Sequence, residues 1–166
     1  MENPHHNKLI AEVFVRYLER EYGWKYAIEL PQEVNNPQFD VRLDANGLQS
    51  LLLQLKEPVG TFVSREKIFT KSYMKSFTHK QGDVEHLVEE AQNKYRNNAR
   101  NLILILHKSD TGYLIPSDAE VIDRNQMASS SFQGIYMVSR RLEGSSPQEE
   151  FVSTLKDAFA DYSATL

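Results

Sequence analysis

Asp40-Val41-Arg42-Leu43-Asp44-Ala45-Asn46-Gly47-Leu48-Gln49-Ser50-Leu51-Leu52-Leu53-Gln54-Leu55-Lys56 is the stretch on which the reading of this chain turns. Polar and apolar residues alternate on both sides of a turn sequence, the pattern of two strands joined as a β-hairpin. Asp44 to Leu48 suits a three-residue loop, a type I turn closed by Gly47 in the left-handed region, which glycine enters at no steric cost. Asp44 then pairs with Leu48, and counting back along both strands pairs Asp40 with Leu52. The period of two places Asp40, Arg42, Asp44, Ser50, Gln54 and Lys56 on one face, and Phe39, Val41, Leu43, Leu51, Leu53 and Leu55 on the other. A two-residue Asn46-Gly47 turn would pair Asp40 with Leu53 and carry the aspartate to the apolar side. Burying a carboxylate there is costly, which favours the longer loop.

An ordinary hairpin with one face in water is the commoner source of such alternation. Against it, Leu51-Leu52-Leu53 is apolar on both faces, as expected of a strand central in its sheet, and Gln54 and Lys56 leave that strand beside an aspartate.

These residues resemble the PD-(D/E)XK nuclease superfamily, whose core is helix, three strands, helix, strand. In that family an aspartate on the second strand is followed, across a short hairpin, by an acidic residue, any residue and a lysine on the third. Asp40 and Gln54-Leu55-Lys56 stand in those places, with Gln54 departing from the acidic consensus as in the Mrr-like branch. The resemblance implies an α/β, restriction endonuclease-like domain with a mixed central sheet flanked by helices. It also implies hydrolysis of DNA phosphodiesters with Mg²⁺ or Mn²⁺. Asp40, Gln54, a backbone carbonyl near Leu55 and Glu12 would hold the metal, and Lys56 would orient the attacking water. Enzymes of the family often dimerise to cut both strands, so a homodimer is among the expected states.

Composition sets the frame. With 166 residues, 40% of them hydrophobic, a single domain over 1–166 is expected, its core at about 7–107 and accessory elements at 108–166. Net charge of −4 and a pI of 5.7 do not by themselves announce a nucleic-acid binder. The absence of cysteine excludes disulfides, thiolate zinc sites and cysteine nucleophiles, and suits a reducing cytoplasm. No apolar run is long enough to cross a membrane, and the start lacks the marks of a signal peptide, so a soluble, unexported protein is expected.

Leu9, Ile10, Val13, Phe14, Tyr17 and Leu18 predict a helix over Asn7–Tyr22, stopped by Gly23. Trp24–Leu30 reads as a first strand, Asp83 to about Asn98 as the second core helix, and Leu102–Leu106 as a buried strand. Tyr113–Ile115 and Ile135–Ser139 are further candidate strands, with a polar, loop-like stretch around Ser129-Ser130-Ser131 between them. Pro147 opens a predicted final helix with Phe151, Leu155, Ala158, Phe159 and Tyr162 on one face.

Among further candidates, Glu12 is chosen by its position on the first helix, with Glu21 the alternative because it falls within the apolar stripe. A solvated helix charge explains either equally well. Gln92 and Tyr95 resemble a glutamine and tyrosine that exonuclease branches carry on the second core helix, at a spacing of three where that motif has four. Lys94, Arg96 and Arg100 surround them as candidate phosphate contacts. Lys67, Lys71 and Lys75 form one helical row with Phe69, Tyr73 and Phe77 interleaved, which suits a DNA backbone or a plain amphipathic helix. The five histidines show no metal-site spacing. Serine-hydrolase, P-loop and dinucleotide-binding signatures are missing.

Overall fold

The computed structural model describes residues 4–31, 39–56, 83–107, 124–139 and 150–160. Helix α1 (Pro4–Tyr22) precedes strands β1 (Ala27–Glu29), β2 (Val41–Asp44) and β3 (Leu51–Lys56). Helix α2 (Asp83–Tyr95) runs into a 3-10 turn (Arg96–Asn101), followed by β4 (Leu102–His107), helix α3 (Arg124–Ser129), β5 (Gly134–Ser139) and β6 (Phe151–Lys156). These strands form one six-stranded sheet in sequence order. β1, β2 and β3 pair antiparallel, β3, β4 and β5 pair parallel, and β6 returns antiparallel on β5.

The sheet separates two apolar cores. On one face α1 buries Ile10, Val13, Phe14 and Leu18 against Val41, Leu43, Leu51, Leu53, Leu55, Ile103 and Ile105. On the other, Val84, Val88 and Ala91 of α2 cover Leu102, Leu104, Leu106, Ile135 and Met137, with Met127 of α3 beside them. β4 is buried along its whole length, as its unbroken Leu-Ile-Leu-Ile-Leu run requires of a central parallel strand. Gly23 ends α1 at φ 75°, its N–H donating to the Glu19 carbonyl at 2.9 Å.

Two expectations are corrected. The hairpin register is Val41 with Leu53, Arg42 with Leu52 and Leu43 with Leu51, so Asp40 lies opposite Gln54 rather than Leu52. The loop takes up the extra residues. Its turn spans Ala45 to Leu48, where the Leu48 N–H donates to the Ala45 carbonyl at 3.3 Å and Gly47 has φ 78°. Gln49 and Ser50 are then held at the base of the loop, the Gln49 carbonyl by the Tyr26 hydroxyl at 2.8 Å and the Ser50 hydroxyl by Asp44. A shift of two residues preserves the faces. Phe39, ahead of β2, leaves that alternation and packs against the α2-side core.

The second correction concerns the C-terminal segment. Phe151–Lys156 is an edge strand, not a helix, and Ala158 and Phe159 lie in the turn after it. The helical spacing of Phe151, Leu155 and Phe159 is real. The β-prone Val152 and Thr154 and the open edge of β5 prevail over it. Pro147, Tyr162 and the candidate strand Tyr113–Ile115 lie outside the described residues.

Candidate active site

The polar face of the hairpin is divided in two. At the loop end Arg42, Asp44 and Ser50 form an open cluster in which Arg42 Nε meets both Asp44 carboxylate oxygens at 3.0 Å. The Ser50 hydroxyl first, and Arg42 after it, hold the Asp44 carboxyl below its usual range. At the far end the same face turns inward: Asp40 is 8% exposed and Gln54 4%. A hairpin with one face simply in water would leave both open.

Asp40 stands just before β2, where its N–H still donates to the Leu53 carbonyl at 2.9 Å. Its Oδ2 accepts two hydrogen bonds, from Gln54 Nε2 and from the Leu55 backbone N–H, each at 2.8 Å. The carboxylate thus takes the place of a ladder acceptor where β2 has not begun, as a buried backbone N–H demands. Gln54 and Lys56 both point to the α2 side of the sheet. Lys56 is half-buried there, its Nζ 6.0 Å from the centre of the Tyr95 ring, and Lys94 Nζ lies 5.4 Å from the same ring. The Lys56 ammonium leans on the aromatic face of Tyr95.

The donor set suits a hard cation. With Nε2 committed to Asp40, Gln54 keeps its side-chain oxygen as its other polar atom. A strand residue directs N–H and C=O to the same neighbour, so the Leu55 carbonyl faces the edge on which Asp40 lies. A carboxylate, an amide oxygen and a carbonyl are oxygen donors of the kind Mg²⁺ accepts together with water and substrate phosphate. Among the described residues no three His, Cys, Asp or Glu side chains gather to hold a metal.

Asp40, Gln54, Leu55 and Lys56 are therefore together. Glu12 is not brought to them: it is half-buried on α1, which covers the opposite face of the sheet, and Glu21 is exposed near the end of that helix. Gln92 is half-buried, its Oε1 accepting the Ser131 N–H at 2.9 Å, and Tyr95 packs into the α2-side core while flanking Lys56. The serine stretch is tied down, since Lys156 Nζ donates to the Ser130 and Phe132 carbonyls at 2.7 Å each. Lys67, Lys71 and Lys75 lie outside the described residues.

Sequence reasoning missed the partners that complete one grouping, whose Gln92, Arg96 and Arg100 it had already placed together, and all of another. Gln92, Arg96 and Arg100 share a cleft with Asn93, Asn97 and Ser131. His6 of α1 sits 3.2 Å, Nε2 to Nδ1, from the buried His107 at the end of β4. Neither the place of Ser131 in the cleft nor the His6–His107 contact has a local sequence signal, because each joins residues distant in the chain. Comparison with protein-family models, with curated proteins and with solved structures returns no match. Among the described residues no helix is long and apolar enough to cross a membrane.

Proposed function

We propose that the chain is a metal-dependent deoxyribonuclease with a PD-(D/E)XK-like core in its glutamine-x-lysine form. The observation that carries this reading is the buried contact of Asp40 with Gln54 and the Leu55 N–H, with Lys56 on the same face. The order helix, three strands, helix, strand, with β4 parallel to β3, supports it at the level of the fold.

Asp40, Gln54 and the Leu55 carbonyl would hold Mg²⁺ or Mn²⁺, and Glu12 has no part in this set. The bound ion would supply Lewis-acid polarisation of the phosphate and a water of lowered pKa. Asp40 and Gln54, as ligands of that ion, would set where the scissile phosphate lies. Lys56 Nζ, flexible on its four-carbon stem, orients the attacking water and offsets the negative charge that builds on the phosphorus oxygens. Tyr95 limits where that ammonium can go.

A second reading, a nuclease-fold protein that binds nucleic acid or a protein partner without cutting, draws on one observation: a single carboxylate, already accepting two hydrogen bonds, anchors the site. Titration with Mn²⁺ by calorimetry separates the two. The nuclease reading expects one saturable site that weakens at least about tenfold in Asp40→Asn, the effect of removing one charged ligand. Equal binding by both proteins, or none, favours the non-cutting relative.

A further inference from the structure

Helix α2 does not fade into β4. At Arg96 the backbone takes φ 47°, a left-handed conformation that few residues other than glycine adopt, and the chain tightens into the 3-10 turn. This kink puts the last turn of α2 and the following turn around one hollow. Gln92, Asn93, Arg96, Asn97, Arg100 and Ser131 line a cleft of about 360 Å³. Its lining is rich in donors and includes no carboxylate: two guanidiniums, three side-chain amides and a serine. Among the described residues neither Arg96 nor Arg100 meets an acidic partner. One wall is braced by the Ser131 N–H to Gln92 bond, and Lys156 holds the backbone on either side of Ser131.

The C-terminal end of α2 carries a partial negative charge of about half a unit, which opposes an anion. Two full positive charges in the cleft outweigh it, with Lys94 a third on the same helix end. Two planar guanidiniums and several amides can engage all three terminal oxygens of a phosphate monoester, and the two positive charges balance its charge of about −2, where a phosphodiester carries only a single negative charge.

We propose that this cleft is a binding subsite for a phosphate monoester, carried by the end of a polynucleotide strand or by a free nucleotide. The strand-end form rests on the nuclease reading above; the anion site rests on the cleft alone. Tyr95, the residue before Arg96, is the one that flanks Lys56, so the subsite and the Asp40 site share a helix end.

The test is equilibrium binding to the full chain in EDTA, so that nothing is cut. The probes are inorganic phosphate, a deoxynucleoside monophosphate, and matched oligodeoxynucleotides with and without a terminal phosphate. The variants are Arg100→Gln and Arg96→Asn, the latter because asparagine tolerates the left-handed backbone. Saturable phosphate binding that falls at least about tenfold in both variants, and persists in Asp40→Asn, supports the subsite. A terminal phosphate that tightens oligonucleotide binding about tenfold in the wild type and not in Arg100→Gln assigns it to strand ends. Phosphate and mononucleotide binding with no preference between the two oligonucleotides overturns the strand end in favour of a free nucleotide. No phosphate binding, or binding indifferent to both arginine substitutions, overturns the proposal. Phosphate binding retained by a protein that cuts no DNA would sink the nuclease reading and leave the subsite standing.

Discussion

Asp40 has two tasks that pull on one side chain. Its Oδ2 satisfies the Leu55 N–H and the Gln54 amide inside the fold, and the same carboxylate is the only charged ligand in the proposed site. Removing it in Asp40→Ala strands two buried donors and is expected to lower unfolding stability by about 1–3 kcal/mol in denaturant titration. Asp40→Asn keeps an acceptor of the same shape and is expected to lose less than half of that while losing metal binding. Equal destabilisation by both would show that the charge, not the hydrogen bonds, holds the strands. Gly134 is a second residue with a steric reason to exist. A Cβ there would overlap the Ala158 side chain and come within 2.8 Å of its Cα, backbone that cannot yield cheaply. Gly134→Ala is therefore expected to cost about 1–3 kcal/mol and lower Tm in a thermal scan.

At the scale of elements, the hairpin was legible because its faces follow a period of two, which a register shift of two leaves unchanged. Val41, Leu43, Leu51, Leu53 and Leu55 are buried together, and Gly47 has the positive φ its place required. What the sequence could not supply was the length of the loop, since Tyr26 and Asp44, which hold Gln49 and Ser50, act from outside the turn itself. Gly47→Ala forces a side chain into the left-handed region and is expected to destabilise by about 1 kcal/mol, measured as a shift of the denaturation midpoint. β6 shows the opposite outcome: helical spacing at Phe151, Leu155 and Phe159 was overridden by the pairing edge that β5 offers. Of the proposed site, Asp40, Gln54 and Lys56 could be read because the hairpin brings them together locally. The absence of Glu12 could not, because it depends on which face of the sheet α1 covers.

Over the whole molecule, the face under α1 ends in an aromatic group joining Tyr17, Tyr22, Trp24, Tyr136 and Phe159, with Tyr22 stacked on Trp24 at 4.2 Å between ring centres. Burial, above all, pushes the Tyr22 hydroxyl from 10.0 up to about 12 and raises that of Tyr136 as well. Both hydroxyls hold their protons more tightly folded than unfolded. Their stabilisation is complete below the unfolded value near 10 and is lost as pH rises through the folded values. Tm is thus expected to fall progressively above pH 10.0, with a shallower fall in Tyr22→Phe; a flat profile through that range would contradict the tighter hold of the buried Tyr136 and the partly exposed Tyr22 on their protons. In the proposed nuclease, a sheet covered by α1 on one face and α2 on the other presents Asp40, Gln54 and Lys56 as a hydrolytic site. The most direct measurement is cleavage of labelled linear, nicked and branched DNA in Mg²⁺, Mn²⁺ or EDTA by the wild type, Asp40→Asn and Lys56→Met. Metal-dependent cutting that falls at least about a hundredfold in each variant is the predicted result. Well-folded wild type that cuts none of these substrates, or variants that cut as it does, would contradict it.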